Sequence, residues 1–328
     1  MYAIRTQGLR KRYGRHEALR GLDLEVEAGT LLGVLGPNGA GKTTIVRILA
    51  TLIEADEGSA TVAGHDVRSN PRAVRAAIGL TGQYAAVDER LTGRENLHLL
   101  SVLHGLSRTE ARRTADTMLD RFELTSAANR VVRGYSGGMR RRLDLASSLI
   151  GHPSVLFLDE PTTGLDPHSR NELWSVVRDQ VNSGVTVLLT TQYLEEADQL
   201  ARDIVVIDGG EVAASGTPAE LKQQVGGERV AVRLPEADAM ERVLPILTAH
   251  ATGIPTVDED GRGATVTVGA SLKAVSAIAN DLAQAQITVD DFGVHHPTLD
   301  DVFLAFTNRD AMDDSIHPHK FTTMKAPA

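Results

Sequence analysis

Leu22, Leu24 and Val26 alternate with Asp23, Glu25 and Glu27, the period-two pattern of a strand with one wet face. Later runs are almost wholly apolar: Val155-Leu156-Phe157-Leu158, Val185 to Leu189, and Ile204 to Ile207. Such runs suit strands buried on both faces of a parallel sheet. Helical stretches separate them. Asp166-Pro167 predicts the start of one with the apolar face Leu173, Val176, Val177 and Val181, ended by Gly184. Strand and helix in alternation predict an α/β domain.

Between about 88 and 152 the pattern becomes helical. Thr92 to Glu95 and Ser107 to Glu110 both match the capping box. Helical spacing follows each, first Leu97, Leu100 and His104, then Ala111, Ala115, Met118, Leu119 and Phe122. This predicts a helical subdomain inserted into the α/β core. Gly226-Gly227 predicts a linker. Beyond it the pattern reads strand 229–234, helix 237–249, strands 254–259 and 264–269, helix 271–285 and strand 287–294. That β-α-β-β-α-β order is ferredoxin-like. A closing helix, Thr298 to Thr307, carries the apolar stripe Leu299, Val302, Phe303 and Phe306, and the region after Gly227 as a whole is expected to dock or stabilise the dimer or the permease. The expected domains are therefore 1–225 and 228–308, with 309–328 a polar, disordered tail.

Composition narrows the picture. With 328 residues and 42% of them hydrophobic, the chain has material for about two cores. A net charge of −9 gives no global basic surface for nucleic acid. The absence of cysteine removes disulfides, thiolate metal sites and Cys nucleophiles together. No apolar run approaches the roughly 18–20 residues of a membrane span, and Met1 to Arg5 leads straight into mixed polar sequence rather than a signal segment. The expectation is a soluble cytoplasmic protein whose membrane role, if it has one, depends on another chain. His295-His296 and His317-Pro318-His319 lack carboxylate and Cys partners and read as surface histidines. Trp174 reads as core.

Gly36 to Thr44 reads GPNGAGKTT and fits the phosphate-loop pattern, with Gly36, Gly41, Lys42 and Thr43 at its fixed positions. The apolar run Leu31 to Leu35 leads in and the helical Thr44 to Leu49 leads out, which is the context the motif needs. Successive backbone N–H groups and the helix N-terminus can face phosphate oxygens, Lys42 adds a full positive charge, and Thr43 offers a hydroxyl to Mg²⁺. Val155 to Leu158 ends in Asp159-Glu160. Alone, that reads better as a strand running into a solvated acidic turn. Beside a phosphate loop, Asp159 can hold Mg²⁺ through water and Glu160 can accept a proton from the attacking water. Tyr135-Ser136-Gly137-Gly138-Met139 precedes another helix, with Ser136 as its N-cap. Arg140, Arg141 and Arg142 fall in its first turns, where the dipole disfavours cations. A nearby anion would offset that cost; an ordinary cap with a solvated basic face is the alternative.

Taken together, the phosphate loop, Gln83, Tyr135 to Met139, Asp159-Glu160 and Gly164-Leu165-Asp166 resemble, in order, the ATP-binding subunits of ABC transporters over about 1–225. The resemblance implies a P-loop NTPase (RecA-like) core with an antiparallel β-subdomain and an inserted helical subdomain, followed here by a small ferredoxin-like α+β domain. It further implies that Tyr13 stacks on adenine and that Gly36, Pro37, Asn38, Gly39, Ala40, Gly41, Lys42, Thr43 and Thr44 hold the phosphates of ATP. Gln83 would touch Mg²⁺ and water, and Glu160 would be the catalytic base. Ser136, Gly137 and Gly138 would bind the γ-phosphate held by an opposite subunit, with Asp166 linking the two sites. One phosphate loop and one signature segment per chain imply two copies, or one copy with a similar partner.

Tyr135 and Met139 replace the family's usual Leu and Gln, and Gln192 stands where a switch histidine is normal. A glutamine amide can donate to a γ-phosphate oxygen but carries no charge. Thr81 to Asp88, Thr190 to Asp198 and Leu299 to Leu304 are similar to the daunorubicin/doxorubicin-resistance (DrrA-like) ATP-binding subunits, in which glutamine is usual at that position. That group implies a separate transmembrane permease, export of hydrophobic compounds and a place on the cytoplasmic face of the membrane. The alternatives are a soluble ABC ATPase in translation or repair, and a regulatory module that barely hydrolyses. Translation factors of this kind carry two cassettes and repair members carry long coiled coils, and neither feature occurs here. A GTPase is disfavoured by the absence of an N-K-x-D motif.

Overall fold

The computed structural model describes residues 1–82, 87–269 and 272–307. The chain opens with β1 (Tyr2–Tyr13), β2 (His16–Glu27), β3 (Leu31–Leu35), α1 (Lys42–Leu49), β4 (Glu57–Val62), β5 (His65–Asp66), α2 (Pro71–Ala77) and β6 (Ile78–Thr81). The helices α3 (Gly93–Leu103), α4 (Arg108–Arg121) and α5 (Gly137–Ser148) follow. Next come β7 (Val155–Asp159), α6 (Pro167–Asn182), β8 (Thr186–Thr191), α7 (Leu194–Leu200), β9 (Asp203–Asp208), β10 (Glu211–Gly216) and α8 (Pro218–Val225).

Two sheets carry this part of the chain. One is antiparallel in the order β2-β1-β4-β5, and it buries Leu22, Leu24 and Val26 while their acidic neighbours stay wet. The other has the order β10-β9-β3-β8-β7-β6, parallel except for the edge strand β10. Its apolar strands are covered on both sides, as continuous apolar runs require. Leu156, Leu158, Val187 and Leu189 share a core with the helical segment, including Leu97, Leu119, Phe122 and Leu143. Val155, Phe157, Leu188 and Val34 join Ile45, Leu49, Leu24 and Val62 in another. Both expected capping boxes form, with Thr92 and Ser107 each accepting from the backbone of the glutamate three residues on.

The remaining chain forms β11 (Arg229–Arg233), α9 (Met240–His250), β12 (Thr256–Val257), β13 (Gly263–Thr267), α10 (Leu272–Gln284), β14 (Asp291–His295) and α11 (Leu299–Thr307). Its antiparallel sheet has the order β12-β13-β11-β14, the ferredoxin-like arrangement. Two strands depart furthest from their expected extents, while β11 and β13 shift by one or two residues at their ends. The expected 254–259 shrinks to two residues because Pro255 lacks an N–H and a turn takes over at Asp258, whose carbonyl accepts from Gly261 at 2.9 Å. The expected 287–294 starts only at Asp291, because the Ile287 N–H closes α10 on the Leu282 carbonyl at 3.1 Å, after Gln286 at φ 53°.

The closing helix packs back on the cassette. Leu299 and Val302 are buried in one cluster with Ala197 of α7, Leu221 of α8 and Ile204 and Val206 of β9, and Phe306 packs against it. Leu299, Val302 and Phe306 of the stripe therefore join α11 to the preceding cassette. Leu35, the last residue before the phosphate loop, belongs to the same cluster. No helix among the described residues is long and apolar enough to cross a membrane.

Candidate active site

The loops after β3, β7 and β8 leave the same edge of the parallel sheet. Leu35 pairs with Thr191 and Asp159 pairs with Thr190. The phosphate loop, the two acids and Gln192 thus emerge at the carboxyl ends of adjacent strands, where open α/β sheets take their ligands. There, a cavity of about 250 Å³ is lined by Tyr13, Asn38, Gly39, Lys42, Thr43 and Glu160, among others.

Space dictates two of the loop glycines. A Cβ on Gly36 would collide with the Ile207 carbonyl. At Gly41, φ is 109° and a Cβ would lie 2.6 Å from the Ala18 carbonyl oxygen. Gly41 and Thr44 also line the cavity, whereas Ala40 is buried beneath the loop. Lys42, 5% exposed, donates from Nζ to the carbonyls of Gly36 at 2.7 Å and Pro37 at 3.2 Å, and stands 3.9 Å from Glu160 Oε1. Burial pulls its pKa below the ordinary lysine range, while the charges of Glu160 and Asp159 pull it back. The ammonium thus rests on neutral carbonyl oxygens that phosphate can outbid electrostatically.

Asp159 ends β7 almost fully buried. Its Oδ1 accepts from Thr190 Oγ1 at 2.5 Å and from Thr43 Oγ1 at 3.3 Å. Glu160 occupies the left-handed region at φ 50°, which costs a non-glycine residue about 1–3 kcal/mol and persists only where surroundings over-determine it. Its N–H donates to the Thr190 carbonyl at 2.9 Å, and its Oε2 accepts from Thr163 Oγ1 at 3.4 Å. Gln192 is exposed, one residue past β8. Gln83 lies outside the described residues.

Ser136 caps α5, its Oγ accepting from the Met139 N–H at 3.2 Å. The two unusual residues beside it have packing reasons. Tyr135 is buried in the core with the helical segment and donates its hydroxyl to the Ala127 carbonyl at 2.8 Å; Gly93 leaves room for the ring. Met139 packs against that same core. Gly138 is required by its neighbour, since a Cβ would lie 2.5 Å from Ser169 Oγ. Ser169 in turn donates from N and Oγ to Asp166 at 2.9 and 2.8 Å, and the backbone bond leads the causes that hold this carboxyl below its usual range. The signature segment and Asp166 are therefore neighbours within one chain. Ser136, Gly137 and Gly138 are not part of the cavity lining.

The three arginines all have partners within the chain. Arg140 pairs with Glu89 at 3.0 Å, and Arg142 with Glu172 at 3.4 Å and Glu123 at 3.5 Å. Arg141 is turned inward onto the turn around Glu160. A second residue escapes the sequence reading. Glu196 of α7 is fully buried, accepting from Trp174 Nε1 at 3.0 Å and Thr162 Oγ1 at 3.2 Å. Burial pushes its pKa up, against the pull of Thr191, Trp174, Thr162 and Arg170. Nothing in the sequence separates it from exposed Glu195.

A phosphate loop, a buried lysine and two acids at the edge of a parallel sheet define a P-loop nucleotide-hydrolase cassette. The ABC transporter family model matches residues 19–163, and that of the DrrA1-3-like ATP-binding protein C-terminal domain matches 216–307. The chain is 54% identical over 306 residues to the daunorubicin resistance ATP-binding protein DrrA2 of Streptomyces coeruleorubidus, covering 93% of this chain and 95% of that one. It is 48% identical over 313 residues to the daunorubicin/doxorubicin resistance ATP-binding protein DrrA of Streptomyces peucetius, covering 95% and 94%. A solved ATP-binding subunit of an ABC transporter superposes with a TM-score of 0.62 at 26% identity, over 68% of this chain and 92% of that one. The chain belongs to the ATP-binding subunits of ABC transporters, in the DrrA-like resistance group.

Proposed function

We propose that the chain hydrolyses MgATP to drive a separate membrane permease that exports hydrophobic drugs or antibiotics. The observation that carries the chemistry is the convergence of Lys42, Thr43 and Glu160 on one cavity, with buried Asp159 hydrogen-bonded to Thr43. In this reading Tyr13, 45% exposed, offers its ring to adenine. Backbone N–H groups from Gly36 to Thr44 and the N-terminus of α1 meet the phosphates, and Lys42 moves from its two carbonyls to phosphate oxygens. Glu160 takes the proton of the attacking water. The Thr43 hydroxyl and the Asp159 carboxylate are hard oxygen donors within 3.3 Å of each other, a set that fits Mg²⁺, which Thr43 and Asp159, together with Gln83, would hold. When bound, the ion supplies charge neutralisation on the phosphates.

Because Ser136, Gly137 and Gly138 stand apart from the cavity lining, they are assigned to the ATP of a second copy. Asp166, beside them through Ser169, links the two half-sites. Two cassettes then close over ATP and reopen after hydrolysis, and the motion passes to the permease. The protein would sit peripherally on the cytoplasmic face, held by that permease, with no nucleic-acid role. The division into a cassette over 1–225 and an accessory unit over 228–308 belongs to this proposal, with α11 returning to the cassette.

The export reading is tested in inside-out vesicles carrying the permease and this chain. A fluorescent anthracycline should accumulate with MgATP and not with a non-hydrolysable analogue. Equal uptake with either nucleotide would contradict it.

Gln192 supplies a separate prediction. Its amide donates to the γ-phosphate in this account but has no protonation step. Gln192→Ala should lower hydrolysis with ATP affinity nearly unchanged. Gln192→His should stay active and acquire a pH dependence between about 6 and 7. Steady-state rates of the three proteins at saturating MgATP, with the permease present, decide it. Equal rates for Gln192→Ala and wild type at every pH would remove the side chain from the mechanism.

A further inference from the structure

Arg141 stands in the second turn of α5, five residues past Ser136, and its side chain is 11% exposed. Its guanidinium has five N–H donors in a fixed fork, and acceptors from three parts of the chain engage all five. Nε donates to the Pro161 carbonyl at 2.6 Å. Nη1 donates to the Gly82 carbonyl at 2.7 Å and to Asp144 Oδ2 at 3.4 Å. Nη2 donates to the carbonyls of Glu160 at 3.1 Å and Asp159 at 3.3 Å.

Three of those acceptors are the successive carbonyls of the turn that holds Glu160 at φ 50°. The left-handed backbone there is fixed on one side by Thr190, which takes the Glu160 N–H, and on the other by Arg141. The fourth carbonyl, Gly82, directly precedes Gln83. The same helix presents Ser136, Gly137 and Gly138 at its start, so a shift of that end carries Arg141 with it.

We infer that Arg141 is a positioning residue that ties the signature end of α5 to the Glu160 turn and to Gly82, just past β6, of its own chain. Engagement of the signature segment by the opposite copy's nucleotide thereby sets the geometry of this copy's base. The inference rests on the two-copy reading above. Lysine cannot replace the fork, because its three donors radiate from one point and cannot span four carbonyls.

The test compares full-length wild type, Arg141→Lys and Arg141→Met, each with the permease present, by steady-state MgATP hydrolysis across ATP concentrations. Fluorescent-nucleotide affinity and thermal melting are measured alongside. Misplacing the base should lower kcat roughly 10- to 100-fold. Nucleotide Kd should stay within about twofold, because the phosphate-loop contacts are untouched. The Hill coefficient should fall from the wild-type value toward one. If Arg141→Met fails to fold, the charge-conserving Arg141→Lys carries the comparison. A folded Arg141→Lys with wild-type kcat and cooperativity overturns the inference. So does a matched loss of kcat and affinity, or a wild type that shows no cooperativity. A wild type without hydrolysis, or a Glu160→Gln protein that retains it, would instead strike the ATPase assignment.

Discussion

Glu160→Gln should abolish nearly all turnover while ATP still binds. The amide keeps the size of the carboxylate and can still accept from Thr163, which lies 3.4 Å from Oε2. What it loses is the ability to take a proton. General-base contributions of about 10²–10⁴ correspond to roughly 3–5 kcal/mol of barrier. The change also removes the negative charge 3.9 Å from Lys42, which leaves the ammonium freer to engage phosphate. ATP affinity should therefore be equal to or tighter than that of wild type. Single-turnover hydrolysis beside a nucleotide titration separates the two effects. Hydrolysis at the wild-type rate would remove Glu160 from its role.

Lys42→Ala should act on binding first. The substitution deletes a buried cation and leaves the Gly36 and Pro37 carbonyls without their 2.7 and 3.2 Å donor. It also leaves Asp159 and Glu160 facing the phosphates with less positive charge between them. A hydrogen bond to a charged group contributes about 1.5–3 kcal/mol, or roughly 10- to 150-fold in Kd. A fluorescent-nucleotide titration reads this directly. Unchanged affinity would contradict the phosphate-loop assignment.

Features whose cause is local were legible in the sequence. Gly36 and Gly41 are read from their spacing, and the structure supplies the reason in the Ile207 and Ala18 carbonyls that crowd them. The all-apolar runs at 155–158 and 204–207 announce strands covered on both faces, and the two capping boxes announce their helices. What depends on long-range packing was not legible. The apolar stripe of α11 looks free until β9, α7 and α8 are brought against it. Arg140, Arg141 and Arg142 are alike in sequence, yet only Arg141 turns inward, because β7 and Gly82 place carbonyls within reach of its second helical turn. Glu196 is set apart from Glu195 by partners such as Trp174 and Thr162, which lie 22 and 34 residues away. The strand expected over 254–259 keeps only Thr256 and Val257, and two residues are too short to show a period.

The central claim is that each ATP is closed between the phosphate loop of one copy and the signature segment of another. Its most direct test is the mass of Glu160→Gln in solution, by analytical ultracentrifugation, with and without MgATP. The account predicts a monomer without nucleotide and a stable dimer with MgATP, and it predicts that Ser136→Arg added to the same chain abolishes the dimer while nucleotide still binds. A Glu160→Gln protein that binds MgATP and stays monomeric, or a dimer indifferent to Ser136→Arg, would contradict it.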